Sequence, residues 1–235
     1  MRILIINPNT SQSMTDKIRQ VAEEVKREDC QVTVVCPEHG PVTLESSYDE
    51  AYAIAPTIDL VKWGNQEGFD AIILACFCDV GVEAAKEISA VPVLGLEETT
   101  LSVALLLGEK FGIMTEKPAR VPMKVRHIRR HGLLERMASV RPLGLSVAEL
   151  DADPEGTKAK GLALARKMVE EDGAEVIIMG CAAMAGYSDD VERELGVPVL
   201  DPLKITLKVA EALVDAGVTH SRVGVYAPPA AKEFK

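Results

Sequence analysis

The alternation of apolar and polar positions predicts short strands separated by longer amphipathic helices. The helical stretches, such as residues 13–28 and 155–173, carry apolar residues at helical spacing, whereas the strands are apolar at consecutive positions. Continuous apolar strands are typical of parallel sheets covered by helices on both faces. The pattern therefore predicts an α/β protein built from βαβ units. The predicted strands are Ile3–Asn7, Gln31–Cys36, Ala71–Ala75, Val91–Gly95, Phe111–Thr115, Ala138–Leu143, Val176–Gly180 and Val197–Leu200.

An internal repeat organises the chain. The segment FDAIILAC, which ends at Cys76, matches AEVIIMGC, which ends at Cys181, 105 positions later. AVPVLGLEET matches GVPVLDPLKI at an offset of 106, and ILIINPNT matches KFGIMTEK more weakly. Three elements that recur in the same order indicate a duplicated domain rather than a solenoid.

The duplication predicts two domains, each a mostly parallel sheet flanked by helices. The first comprises residues 1–97 with 208–235, and the second comprises residues 98–207. The segment HSRVGVYAPP is expected to rejoin the first domain. We expect a pseudo-twofold axis to relate the domains and the active site to lie in the cleft between them.

The composition and net charge argue against some classes of function. The 235 residues are 47% hydrophobic and 26% charged, and the net charge of −10 argues against nucleic acid or an anionic membrane as a partner. No apolar run approaches the roughly 20 residues that cross a bilayer. The initial segment MRILIINPNT is too short for a signal peptide and is expected to form a strand.

The five cysteines favour thiol chemistry over disulfides. An odd number, without a signal peptide, indicates a reducing, cytoplasmic location. The cysteines are then core residues, metal ligands or reactive thiols. They are Cys30, Cys36, Cys76, Cys78 and Cys181.

Cys76 and Cys181 each stand directly after a predicted strand. Ligands of open parallel sheets bind outside the carboxyl ends of the strands, and a helix N-terminus there lowers a thiol pKa from about 8.5. Two thiols on opposite sides of a carbon can invert its configuration. One, as thiolate, removes a proton from the carbon, and the other, as thiol, returns a proton to the opposite face. A carbon acidified by a neighbouring carbonyl needs no cofactor for this. The alternative is that both cysteines are small buried hydrophobes.

A polar loop follows the first predicted strand. Asn7, Asn9, Thr10 and Ser11, with Pro8 among them, open the first helix and offer amide and hydroxyl groups, beside backbone N–H groups at the helix N-terminus. Such donors stabilise the oxygen that gains charge when a proton leaves the adjacent carbon. Thr115 occupies the corresponding repeat position in the second half. The alternative is an ordinary turn with a helix cap.

Five motifs span nearly the whole chain, namely INPNTS at 6–11, GPVTLESSYDEA at 40–51, ACFCDVG at 75–81, MGCAAMAG at 179–186 and YAPP at 226–229. Taken together, these motifs resemble the hydantoin racemase family of the aspartate/glutamate racemase superfamily.

The resemblance implies cofactor-independent, metal-free racemisation of D- and L-5-monosubstituted hydantoins by Cys76 and Cys181. It also implies a small-molecule substrate and a homo-oligomer. The resemblance and the repeat together imply a set of substrate-binding residues, namely Asn7, Pro8, Asn9, Thr10, Tyr48, Phe77, Thr115, Gly180 and Ala182.

Three features stand outside this pattern. Cys78 occupies a position where the family segment Cys-Phe-x-Asp-x-Gly is expected to carry a residue without a thiol. Three interpretations stay open: Cys78 has no role in catalysis, binds a contaminating metal ion, or forms a disulfide on oxidation. His127 and His131 have the spacing of a metal pair on a helix, but arginines surround them, so a solvated basic face is predicted. Glu97 and Glu98 are expected to cap the helix that follows them.

Other functions are compatible with the same residues. Allantoin is itself a 5-substituted hydantoin, so an allantoin racemase is an alternative. An amino-acid racemase, a maleate isomerase or an arylmalonate decarboxylase would share the fold. A decarboxylase needs only one cysteine, and acidic substrates need cationic groups that neither cysteine loop supplies. A two-lobed binding protein without chemistry is the non-enzymatic alternative, and a purely structural duplication leaves the polar loop unexplained.

Overall fold

The computed structural model describes residues 1–145, 149, 153–180 and 188–230. The strands are β1 (Arg2–Ile6), β2 (Gln31–Val35), β3 (Ala71–Leu74), β4 (Val93–Gly95), β5 (Phe111–Thr115), β6 (Met137–Pro142), β7 (Val176–Met179) and β8 (Val199–Leu200). The helices are α1 (Gln12–Val25), α2 (Ser47–Glu67), α3 (Val82–Ile88), α4 (Leu96–Leu107), α5 (Val121–Arg130), α6 (Pro154–Glu170), α7 (Ser188–Leu195) and α8 (Pro202–Ala216).

The strands form two parallel sheets of four, in the orders β2-β1-β3-β4 and β6-β5-β7-β8. This confirms the predicted α/β class, and every predicted strand is present with ends within two residues of the observed ones. The same strand order in both sheets is what a duplicated domain requires. In each sheet the strand that precedes a cysteine, β3 or β7, lies at an interior position.

The interior strands β3 and β7 are apolar throughout and buried along their whole length. All four residues of β3 and all four of β7 are buried. One core cluster packs Leu4, Ile72 and Leu74 with Val61 and Phe69, and a second core forms separately around β7. Each such side chain contributes about 1.5–3 kcal/mol through its burial. β3 and β7 end where a small residue follows, Ala75 after β3 and Gly180 after β7, and each cysteine loop begins there in the sequence.

The chain divides into two compact units. The first contains residues 1–75, 79–95 and 207–235, and the second contains residues 76–78 and 96–206. The sequence-based boundaries were residues 1–97 with 208–235, and residues 98–207. The main difference is the short segment Cys76–Cys78, which continues from β3 but groups with the second unit.

The C-terminal segment packs on α3 within the first unit. His220 Nε2 lies 2.7 Å from the carbonyl oxygen of Lys86, and Arg222 donates to the carbonyl oxygen of Ser89. Lys86 Nζ lies 5.1 Å from the centroid of the Tyr226 ring. These donors satisfy carbonyl groups that the end of a helix leaves unpaired. In the part of the chain that the structure describes, no helix is both long and apolar enough to span a membrane.

A bidentate ion pair joins β6 to the turn after α6. Arg141 Nε donates to Asp172 Oδ2 at 2.6 Å, and Arg141 Nη2 donates to Asp172 Oδ1 at 2.6 Å. The Arg141 hydrogen bonds hold the pKa of the Asp172 carboxyl below its ordinary value, although partial burial opposes the shift. Because this pKa is lower in the folded state, the pair stabilises the fold above the unfolded pKa of about 3.9. That stability is lost as the pH falls through the folded pKa.

We therefore expect Asp172→Asn to lower the free energy of unfolding by about 1–2 kcal/mol at pH 7. The difference from wild type should shrink as the pH falls from about 4 through the lower folded-state pKa, because the wild-type carboxyl becomes protonated first in the unfolded and then in the folded state. Urea unfolding at pH 7 and at acidic pH measures both values. Asp59→Asn is the control, because the Asp59–Lys62 pair is largely exposed and should contribute almost nothing. A difference that stayed constant with pH would show that Asp172 does not act through its charge.

Candidate active site

The loop after β3 carries the first predicted catalytic cysteine. The N–H of Ala75 donates to the carbonyl oxygen of Ile6 at 2.8 Å, which continues the β1–β3 pairing one residue past the strand. Cys76 follows and is partly exposed, whereas Phe77 and Cys78 are buried. The Sγ atoms of Cys76 and Cys78 are 2.8 Å apart. Cys78 is thus in direct contact with the predicted base, a relation that sequence spacing alone did not reveal.

The same loop turns sharply into α3. Asp79 has a φ of 50°, a left-handed conformation that aspartate tolerates better than most residues. Its carbonyl oxygen accepts a hydrogen bond from the N–H of Val82, and Gly81, with a φ of 75°, is the N-cap of α3. The Asp79 carboxylate covers Gly95 of β4, where an added Cβ would lie 2.3–2.5 Å from it. Gly95 therefore leaves the space that lets this turn close.

Gly95→Ala should lower the free energy of unfolding by about 1–3 kcal/mol, because the new methyl group collides with the Asp79 carboxylate. Thermal and urea unfolding measure the loss. The double variant Gly95→Ala/Asp79→Gly removes the colliding carboxylate, so it should be more stable than Gly95→Ala alone. A double variant that is no more stable would show that the collision is not the cause.

The polar loop after β1 uses much of its hydrogen bonding internally. Asn7 is buried, and its Nδ2 donates to Asn9 Oδ1 at 2.9 Å and to Thr15 Oγ1 at 3.0 Å. Ser11 is the N-cap of α1, and its hydroxyl accepts from the N–H of Met14. Asn7 therefore holds the loop in shape.

Among the other predicted loop residues, Pro8 is buried, while Asn9 and Thr10 are partly exposed. The N–H of Thr10 donates to the carbonyl oxygen of Pro41 at 3.0 Å, which fixes the outer part of the loop. Because β1 and β3 are parallel neighbours, this loop and the Cys76 loop leave the same carboxyl edge of the first sheet.

The second sheet repeats this arrangement at its own carboxyl edge. The N–H of Gly180 donates to the carbonyl oxygen of Met114 at 2.8 Å, as Ala75 does to Ile6 in the first sheet. Thr115 ends β5 and is fully buried, and its hydroxyl donates to Glu116 Oε2 at 2.8 Å. The predicted residues Cys181 and Ala182 lie outside the described residues, directly after Gly180 in the sequence.

Tyr48 lies in the first turn of α2. Its side chain is 69% exposed, and the centroid of its ring is 4.7 Å from that of Tyr52. The substrate-binding role predicted for Tyr48 stays a prediction.

A buried ionic cluster on α4 and α5 was missed by sequence reasoning. Glu97, Lys124 and His127 are 1%, 2% and 6% exposed. His127 Nδ1 lies 2.9 Å from Glu97 Oε2, and Lys124 Nζ lies 3.9 Å from Glu97 Oε1. Burial alone would raise the pKa of Glu97, but the charge of Lys124 and the contact with His127 outweigh it and hold this pKa below its ordinary value. The carboxylate is therefore ionised inside the protein.

Two sequence-based interpretations are corrected here. The solvated basic face was wrong for His127, although Arg126, Arg129, Arg130 and His131 are exposed as predicted. Glu97 lies in the first turn of α4, but it faces buried partners rather than serving only as a helix cap. The spacing of Lys124, His127 and Ile128 on one face of α5 was the signal that could have identified this buried stripe.

Lys124 also contacts the cysteine loop. Its Nζ donates to the carbonyl oxygen of Phe77 and lies 4.4 Å from the centroid of the Phe77 ring. A cation over an aromatic face and a charge-assisted hydrogen bond are both favourable in a buried setting. These contacts link the segment Cys76–Cys78 to α5 within the second unit.

Comparison with known proteins identifies the family. Residues 3–210 match the family model described as Asp/Glu/Hydantoin racemase. A hydantoin racemase from Pseudomonas sp. (strain NS671) is 37% identical over 234 residues, covering 100% of this chain and 94% of that protein.

Two solved structures are also similar to the whole chain. An allantoin racemase from Klebsiella pneumoniae has a TM-score of 0.94 and 30% identity, covering 100% of this chain and 96% of that one. An allantoin racemase from Pseudomonas fluorescens has a TM-score of 0.93 and 33% identity, with 100% of both chains covered. The chain therefore belongs to the Asp/Glu/hydantoin racemase family and is an isomerase of the racemase class.

Proposed function

We propose that this enzyme racemises 5-monosubstituted hydantoins by proton transfer at C5, with Cys76 and Cys181 as the two acid–base groups. The observation that carries the proposal is the placement of a cysteine after the strand that occupies the same interior position in each sheet. Cys76 follows Ala75 at the end of β3, and Cys181 follows Gly180 at the end of β7 in the sequence. The similarity to a hydantoin racemase over the full chain supports the same assignment.

The chemistry follows from the position of C5 beside the C4 carbonyl of the hydantoin ring. One cysteine, as thiolate, takes the C5 proton, and the electron pair of the broken C–H bond moves toward the carbonyl oxygen as an enolate. The other cysteine, as thiol, protonates C5 from the opposite face. The substrate keeps its composition with inverted configuration, and the two cysteines exchange protonation states. Because the carbonyl acidifies the C–H bond, the proposal includes no metal or cofactor.

The loops beside the cysteines have distinct proposed roles. Asn9 and Thr10 are partly exposed and are proposed to donate to the enolate oxygen. Asn7 and Pro8 are buried and are proposed to support that loop from beneath. Preorganised donors of this kind are each worth about 100- to 1000-fold in rate. Since the mechanism needs both thiols reduced, we propose a reducing compartment, the cytoplasm, as its place of action.

The second candidate substrate is allantoin. It contains the same hydantoin ring with a ureido group at C5, so the same proton transfer applies. The full-length likeness to two allantoin racemases favours it specifically. The two candidates differ in the C5 substituent rather than in the chemistry.

Polarimetry in D2O tests the proposal. Enantiopure L-5-benzylhydantoin and enantiopure allantoin are incubated separately with the enzyme and EDTA. We expect the rotation of at least one to decay to zero, above the non-enzymatic rate, with one deuterium entering at C5. Decay with allantoin alone assigns the second candidate. No decay with either substrate would refute the proposed function.

A further inference from the structure

The buried cluster of Glu97, Lys124 and His127 carries a cost in folding free energy. Moving charges out of water costs several kcal/mol per ion, and well-packed apolar residues often replace such clusters without loss of stability. Each of the three side chains is at least nine-tenths buried. Stability alone therefore does not account for a lysine at position 124. The contacts of Lys124 with the cysteine loop offer another explanation.

Lys124 is bonded to the peptide that follows the proposed base. Its Nζ donates to the carbonyl oxygen of Phe77, the residue between Cys76 and Cys78, and it lies 4.4 Å from the centroid of the Phe77 ring. Glu97 holds the ammonium group from α4, and His127 holds Glu97 from the next turn of α5. A chain of buried contacts thus runs from two helices to the backbone beside the reactive thiol.

We infer that Lys124, held by Glu97 and His127, is a positioning residue that fixes the Cys76 loop for proton transfer at the substrate. The inference rests on the proposed function, in which Cys76 is one of the two bases. Proton transfer requires that the donor and acceptor atoms lie within hydrogen-bond reach, and a misplacement of about 1 Å can cost about 100-fold in rate. A loop that is partly exposed at Cys76 needs such an anchor, because the thiol itself cannot be packed rigidly while it faces substrate.

Lys124→Met and Glu97→Gln/Lys124→Met separate positioning from charge balance. Lys124→Met leaves the buried Glu97 carboxylate without the ammonium group of Lys124, so the Tm should fall. The double variant removes both charges together, so much of the Tm should return. If Lys124 positions the loop, kcat stays about 100-fold below wild type in both variants, while KM changes little. If the cluster only stabilises the second unit, kcat recovers with the Tm, which would overturn the inference.

A matched control comes from the first unit. Lys208 Nζ lies 2.9 Å from Glu211, whose side chain is also 2% exposed, so Lys208→Met likewise removes a lysine from a buried carboxylate. This variant should keep the wild-type kcat. Should Lys124→Met fail to fold, the double variant decides the outcome by itself, because it carries no unpaired charge at these two positions.

Thiol labelling gives a readout that does not depend on turnover. Iodoacetamide labelling of Cys76, quantified by peptide mass spectrometry, is compared with that of Cys36, which is also partly exposed. The ratio should change in both Lys124 variants and stay constant in Lys208→Met. An unchanged ratio together with an unchanged kcat would refute the positioning role. If wild type racemises neither substrate, the proposed function fails, and the labelling ratio alone still decides whether Lys124 orders the loop.

Discussion

Replacing Cys76 or Cys181 with serine is expected to abolish racemisation while the protein stays folded. A hydroxyl is a far weaker acid than a thiol, so serine is not ionised near neutral pH and cannot take the C5 proton. General acid–base catalysis contributes about 100- to 10,000-fold, and each variant should lose at least this factor in kcat. Polarimetry on both enantiomers measures racemisation, and circular dichroism with thermal unfolding verifies the fold.

The two single variants also distinguish a two-base mechanism from a one-base mechanism. Each variant keeps one thiol, which can still remove and return a proton on one face of C5. We therefore expect any residual deuterium uptake to occur with retained configuration, and with opposite enantiomers for the two variants. Cys36→Ser is the control, because Cys36 lies directly after β2 and has no proposed role, so this variant should racemise at the wild-type rate. Wild-type racemisation in either Cys76→Ser or Cys181→Ser would refute the two-base model.

Gly180→Ala is expected to damage both stability and activity. An added Cβ would lie 2.4 Å from the carbonyl oxygen of Met114 and 2.7 Å from Ile113 Cγ2. The Met114 oxygen is a backbone atom that also accepts the N–H of Gly180 at 2.8 Å, so the strands must separate where they are bonded. Such overpacking costs about 1–3 kcal/mol, with about 1 kcal/mol more for the weakened hydrogen bond.

The activity loss follows from sequence adjacency, because Gly180 directly precedes the proposed base Cys181. We expect a fall in kcat of about 100-fold from the displaced loop. Gly161→Ala is the matched control in the same unit, since its Cβ meets open space within α6 and should stabilise the helix by up to about 1 kcal/mol. Urea unfolding and polarimetry on both variants test the prediction. A Gly180→Ala enzyme with wild-type stability would show that the end of β7 accommodates a side chain.

The local pattern of this sequence was sufficient to predict the fold class. Strands such as β3 and β7 are short runs of consecutive apolar residues because they are buried on both faces. The residue types alone therefore indicate that these strands are buried. The repeated segments that precede Cys76 and Cys181 in the sequence form β3 and β7, which hold equivalent positions in two sheets of the same order. Both features depend only on residues close together in the chain, or on the comparison of one half with the other.

Hydrogen-bond partners were harder to predict from the sequence than the strands were. The role of Asn7 as a substrate donor stays a prediction, and the structure adds that its amide group bonds Asn9 and Thr15 within the protein. The Thr115 hydroxyl likewise donates to Glu116. Residue type shows that a donor is available, but only the geometry of its neighbours decides which acceptor it meets.

In the described part of the chain, the sequence by itself determined the eight strands, the duplication and the placement of Cys76 two residues past the last residue of β3, because each follows from local residue pattern. Only the tertiary structure decided that Cys78 contacts Cys76 and that Asp79 closes over Gly95. It also decided that Lys124, Glu97 and His127 meet inside the second unit. The physical reason is that burial of a charged side chain depends on what packs over its helix. Residues 27 and 30 positions apart along the chain set that environment, so the helical spacing on α5 can indicate a buried face but not the partner that packs against it.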